Sequence, residues 1–126
     1  MPPRLLVTGF EPFGNSAVNP SARVLRPLAL LAPGGAVIST RLLRVSYRDG
    51  FDPVRRAIDE ERPEAVVLLG LSAARDALSF ERVAVNRRGG RLADNDGVVI
   101  ADERIEEHGP AACFATLPID DLVEAA

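Results

Sequence analysis

Apolar positions along the chain gather into short runs separated by proline, glycine and charge. The first, from Arg4 to Val7, reads as a short buried strand that stops ahead of Gly9. Asn19-Pro20-Ser21 then predicts a helix start, with Asn19 as N-cap and Pro20 at the first helical position. The helix runs through Val24 and Leu25 and is disturbed at Pro27, because a proline cannot continue a helix interior. Pro33-Gly34-Gly35 closes that segment, and Ala36 to Val45 predicts a second strand. Asp52-Pro53 repeats the cap-then-proline pattern and opens a helix from Val54 to about Arg62, stopped by Pro63. Ala65-Val66-Val67-Leu68-Leu69 is apolar throughout and ends at Gly70, which predicts a central strand covered on both faces. Leu78 to Val85 reads as a fourth strand and Arg87 to Gly97 as a polar loop. Leu117-Pro118-Ile119 opens a last helix, with Asp120 and Asp121 near the positive end of its dipole. Strands alternating with helices predict an α/β sheet with helices on its faces.

The loop after the first strand, Thr8-Gly9-Phe10-Glu11-Pro12-Phe13-Gly14, organises this picture. Gly9 and Gly14 permit backbone geometry that a Cβ forbids, and two of the five Phe residues lie between them. In open α/β sheets ligands gather outside the carboxyl ends of the strands, where this loop belongs. Phe10 and Phe13 therefore read either as walls for a small flat ligand or as plugs over the core. In the fourth strand, alternation puts Ser79, Glu81, Val83 and Val85 on one face. A carboxylate sharing a face with valines needs a partner, so Glu81 is a site residue, a structural ion pair or an exposed strand end.

Composition narrows the chemistry. The 126 residues are 47% apolar and 26% charged with a net charge of −3, which supplies no basic stripe for nucleic acid. One Cys and one His exclude a disulfide framework and leave too few soft ligands for structural zinc. No run is long enough to span a membrane, and the first residues lack the pattern of a signal peptide, so the expectation is a cytoplasmic chain. Gly70-Leu71-Ser72-Ala73-Ala74 follows a nucleophile elbow except at Ala74, and no acid-then-His order supports Ser72 as a nucleophile. Cys113 lies in an apolar run between Ala112 and Phe114 and reads as buried and inert, while His108 lies in a solvated turn.

Taken together, TGFEPFG, Asn19-Pro20-Ser21, FERVAVN from Phe80 to Asn86, Arg91 with Asp94-Asn95-Asp96-Gly97, and TLPI from Thr116 to Ile119 resemble pyroglutamyl peptidase I, the pyrrolidone-carboxylate peptidase family of cysteine peptidases. The resemblance covers essentially the whole chain. It implies a three-layer αβα sandwich with a mixed, mostly parallel sheet. It also implies removal of N-terminal pyroglutamate from peptides by a Cys–His–Glu triad, with no metal or cofactor. Glu81 matches the triad carboxylate, and Phe10 and Phe13 match the aromatic residues that sandwich the pyroglutamyl ring. Arg91 matches an arginine of the active-site region, and Asn19 a position near the pocket. Leu71 falls where many members carry a glutamine that hydrogen-bonds the lactam, a bond leucine cannot make.

The resemblance places the family's nucleophilic Cys and its His beyond TLPI, whereas Cys113 and His108 precede it. The expectation is therefore a single, C-terminally truncated domain over 1–126 that is inactive as given. The alternative is a non-catalytic remnant binding a small lactam or a partner protein, with association into a homo-oligomer left open.

Overall fold

The computed structural model describes residues 1–126 and divides them into two compact units. The first comprises Met1–Ser72 with Ala93–Val98, the second Ala73–Leu92 with Val99–Ala126.

In the first unit, strand β1 (Arg4–Phe10) lies between β2 (Val37–Leu43) and β3 (Ala65–Leu68), parallel to both. Leu6 stands beside Ser39 and Val66, and Thr8 beside Arg41 and Leu68. Successive side chains of a strand point to opposite faces, so Leu6, Thr8 and Phe10 share one side of the sheet. Helix α3 (Asp52–Glu61) covers that side: Val54 and Ala57 meet Leu6 and Leu43 in the core, with Phe10 and Val66 packed against them. Thr8 is also fully buried there, and its hydroxyl has no hydrogen-bond partner. The opposite side receives α1 (Pro20–Arg23), which approaches β1 at Gly9. Helices thus lie on both faces of a parallel sheet, the expected αβα layering.

The predicted proline effects are visible. Asn19 caps α1, its Oδ1 accepting from the Ser21 amide at 3.0 Å. A turn at Val24 separates α1 from α2 (Leu25–Leu30). The cause is Pro27, which cannot donate to the Arg23 carbonyl and whose ring crowds that carbonyl. Helix α3 starts two residues earlier than read: Asp52 is inside the first turn and Phe51 occupies the cap without a side-chain bond.

The apolar run at Ala65–Leu68 departs from expectation. It is an edge strand, and Leu68 is 55% exposed. The central strand is β1, which carries Thr8 and Gly9 and is nevertheless buried from Leu6 to Gly9. Its position follows from neighbours on both edges and helices on both faces rather than from an unbroken apolar run.

The second unit holds two small antiparallel ladders. Strand β4 (Val83–Val85) pairs with β7 (Ala112–Phe114), and β5 (Arg87–Arg88) with β6 (Glu103–Arg104). The fourth strand is therefore three residues long, not the whole of Leu78 to Val85, because β7 offers it only a short partner. Arg87, read as the start of a loop, is instead in a strand and makes a two-pronged ion pair with Asp102 at 2.6 and 2.7 Å. That pairing draws the Asp102 carboxyl below the ordinary range. Helix α4 (Ile119–Ala125) begins after Pro118 with Asp120 and Asp121 in its first turn, and Asp120 accepts from Arg82 at 2.7 Å. No helix in either unit is long and apolar enough to cross a membrane.

Candidate functional site

The Phe10–Phe13 loop leaves the carboxyl end of β1 and is tied down from two directions. On the helix side, the Phe10 amide donates to the Ser21 hydroxyl at 2.9 Å, and that hydroxyl donates to Asn19 Oδ1 at 2.7 Å. Asn19 Nδ2 donates back to the Glu11 carbonyl at 3.1 Å. Asn19 is only 1% exposed, and its bond with the Ser21 hydroxyl is buried. Its cap role and its closeness to the loop thus have one origin. The loop then turns at Phe13–Ser16, where the Ser16 amide meets the Phe13 carbonyl at 3.2 Å and Gly14 takes a φ of 61°. Phe10 and Phe13 are both half-buried. Phe10 touches the core cluster, so one of its faces is committed to packing.

On the other side lies a polar clamp that the sequence did not reveal. Asn95 Nδ2 donates to Glu11 Oε1 and to the Pro12 carbonyl, each at 2.9 Å. Glu11 Oε1 also accepts from the Val45 amide at 3.1 Å, and the Asn95 amide donates to the Val45 carbonyl at 2.9 Å. Two aspartates hold Asn95 in place. Asp94 accepts from the amides of Tyr47, Asp96 and Val98, and Asp96 from Ser46 and Arg44, both at 2.6 Å. The Tyr47 amide, chiefly, holds the Asp94 carboxyl below its ordinary range; the Ser46 hydroxyl and then Arg44 do the same for Asp96. Asp96, ahead of Asp49, raises the Arg44 guanidinium in return. Asp94-Asn95-Asp96-Gly97 stood out in the sequence only as a motif. Its bonding partners lie too far away along the chain to be found by spacing.

Beyond β3, Leu71 is half-buried and Ser72 exposed. In the second unit Glu81 precedes β4 rather than lying within the strand, and its side chain is 71% exposed. The reading of Glu81 on a buried valine face is therefore corrected: Val83 and Val85 are exposed as well, since β4 has no layer over that face. Glu81 Oε1 instead accepts from Arg75 Nη1 at 2.7 Å. Arg91 is exposed, as is His108. Cys113, read as buried, is exposed and free in β7, opposite Ala84. A two-stranded ladder buries little, whatever the polarity of its residues.

Residues 3–126 match the family model described as pyroglutamyl peptidase. The chain belongs to the pyroglutamyl peptidase family. It is 37% identical to the pyrrolidone-carboxylate peptidase of Pyrococcus furiosus over 121 residues, 96% of this chain and 58% of that protein. To the pyrrolidone-carboxylate peptidase of Chromobacterium violaceum it is 40% identical over 119 residues, 94% of this chain and 57% of the other. The solved structure of the Pyrococcus furiosus pyrrolidone carboxyl peptidase with its Cys-free mutant superposes with a TM-score of 0.92. It covers 97% of this chain and 59% of that one. The chain thus spans somewhat under three fifths of the length of these pyroglutamyl peptidase relatives. Within this member of the pyroglutamyl peptidase family, Phe10, Phe13 and Asn19 converge on one bonded loop, while Glu81 and Arg91 belong to the other unit.

Proposed function

We propose that this chain carries the lactam-binding loop and the triad carboxylate of a cysteine-type omega-peptidase acting on N-terminal pyroglutamyl peptides. Membership of the pyroglutamyl peptidase family over residues 3–126 carries this reading. Phe10 and Phe13 flank the flat lactam, on a loop whose backbone is already fixed. Preorganisation of this kind lowers the cost of binding. Leu71 supplies an apolar wall and leaves lactam recognition to other donors, which relaxes discrimination against apolar ring analogues. Glu81 orients an imidazole and stabilises its protonated form. Arg75 occupies Glu81 Oε1, leaving Oε2 to accept the imidazole N–H. Arg91 steadies negative charge developing on the scissile carbonyl.

Neither Cys113 nor His108 takes part. Cys113 is an exposed thiol on a small ladder, and a nucleophilic thiolate needs a base beside it. Loss of a nucleophile costs about six orders of magnitude in comparable triads. The polypeptide 1–126 should therefore give no measurable release of p-nitroaniline from L-pyroglutamyl-p-nitroanilide, while binding free L-pyroglutamate. Turnover abolished by Cys113→Ala would make Cys113 the nucleophile and overturn the assignment; turnover abolished by Ser72→Ala would point to a serine hydrolase. Absence of pyroglutamate binding would remove the lactam reading.

A further inference from the structure

We propose that Asn95 is the positioning residue of the Phe10–Phe13 loop: its side-chain amide fixes the conformation in which the two rings are presented. The proposal rests on the reading above that this loop receives the lactam, and it adds the device that keeps the loop in shape.

Three observations converge. First, a single Nδ2 group serves two acceptors on consecutive residues, Glu11 Oε1 and the Pro12 carbonyl, both at 2.9 Å. Glu11 and Pro12 are the only residues between Phe10 and Phe13, so the amide grips the span that sets the relation of one ring to the other. Second, Glu11 is held on a rigid edge: its amide donates to the Leu43 carbonyl at 3.0 Å, and its Oε1 accepts from the Val45 amide at 3.1 Å. The loop is thereby registered against the end of β2. Third, Asn95 is itself immobilised, its amide on the Val45 carbonyl and its neighbours Asp94 and Asp96 bonded to Tyr47, Ser46 and Arg44. A side chain fastened on both sides transmits position; a mobile surface asparagine does not.

The chemistry of the grip is specific. Asn95 must donate, because both partners are acceptors. An aspartate there offers only acceptors and sets a second carboxylate against Glu11. Glu11, by contrast, needs only to accept, so a glutamine in its place keeps both bonds through its carbonyl oxygen.

The test uses the 126-residue chain and its Asn95→Ala, Asn95→Asp and Glu11→Gln variants. Amide hydrogen exchange reads the loop, and L-pyroglutamate titrated into labelled protein and followed by NMR reads the site. Asn95→Ala should speed exchange at the Glu11 and Val45 amides about tenfold or more, since two hydrogen bonds are lost. Pyroglutamate affinity should weaken about as much, because the competent loop is less populated. Asn95→Asp should be worse than Asn95→Ala, and Glu11→Gln should retain protection. Amides of β1 before the loop, such as Leu6, should exchange as in the unsubstituted chain. Unchanged loop exchange in Asn95→Ala overturns the proposal, as does a uniform rise across the sheet, which marks a merely structural role. Equal behaviour of Asn95→Asp and Asn95→Ala also overturns it. If the unsubstituted chain protects the loop but does not bind pyroglutamate, the lactam reading fails while exchange still decides the role of Asn95.

Discussion

Gly9→Ala brings a Cβ closer to backbone than any other glycine-to-alanine change in the first unit. A Cβ at Gly9 would lie 2.2 Å from the Ser21 carbonyl oxygen, 2.7 Å from its carbon and 3.2 Å from the Ala22 nitrogen. These are backbone atoms, so no side chain can swing aside, and α1 must retreat by about 1 Å or more to restore contact distance. Overpacking of this kind costs about 1–3 kcal/mol. Retreat of α1 also pulls the Ser21 hydroxyl from the Phe10 amide, worth about 0.5–1.5 kcal/mol more. Reduced freedom of the unfolded chain returns about 0.4–1 kcal/mol. The net loss is about 0.5–4 kcal/mol, centred on about 2 kcal/mol, a sizeable share of an ordinary domain stability of about 5–15 kcal/mol. Gly14→Ala is the control: nothing lies within 4 Å of its Cβ, and only the φ of 61° opposes the change, at about 1–2 kcal/mol before the same entropic return. Urea unfolding followed by fluorescence of Tyr47, the sole tyrosine in a chain without tryptophan, reads the unit concerned. A Gly9→Ala loss equal to or smaller than that of Gly14→Ala would refute the close approach of α1 to β1.

Other consequences are open to measurement. Thr8→Val removes a buried hydroxyl without a partner and should be neutral or stabilising by about 1 kcal/mol in the same urea titration; a loss beyond about 1 kcal/mol would show that the hydroxyl is satisfied in solution. Asp94 and Asp96 have lowered carboxyl values, so their contribution is complete above the unfolded Asp value of about 3.9 and is lost as pH falls through the lower folded values. The Tyr47 amide resonance should accordingly move only below about pH 4, and a transition centred near pH 6 would contradict this. Cys113 is exposed and should react fully with a thiol-specific disulfide reagent without denaturant, whereas slow reaction limited by unfolding would restore the buried reading.

Local rules served where the cause is local. Asn19-Pro20 and Pro27 act within a few residues: the cap stands where the sequence places it, and the interruption, read at Pro27, falls at Val24, three residues earlier, with Pro27 inside α2. The central strand was misassigned because burial depends on what lies beside and above a strand, and Ala65–Leu68 has a neighbour on one edge only. The same limit explains Glu81 and Cys113: alternation says which residues share a face, not whether that face is covered. In the candidate site, the loop that carries Phe10 and Phe13 and the cap at Asn19 were legible because turn glycines, a cap-then-proline pattern and a family motif mark them. The Asn95 clamp was not, since its bonds to Glu11 and Pro12 join positions more than eighty residues apart.

That separation has a consequence during synthesis. Glu11 emerges 84 residues before the amide that grips it. At about 5–20 residues per second, the interval is about 4–17 s. Over that time the β1–β2–β3 sheet can assemble, because all its strands lie within the first seventy residues. The ring-bearing loop meanwhile waits, held by Asn19 and Ser21 on one side and by Leu43 and Val45 on the other, without the two bonds of Asn95. The nascent chain thus acquires its sheet first and the Asn95 grip on the loop later, when Ala93–Val98 returns to the unit that was made before it.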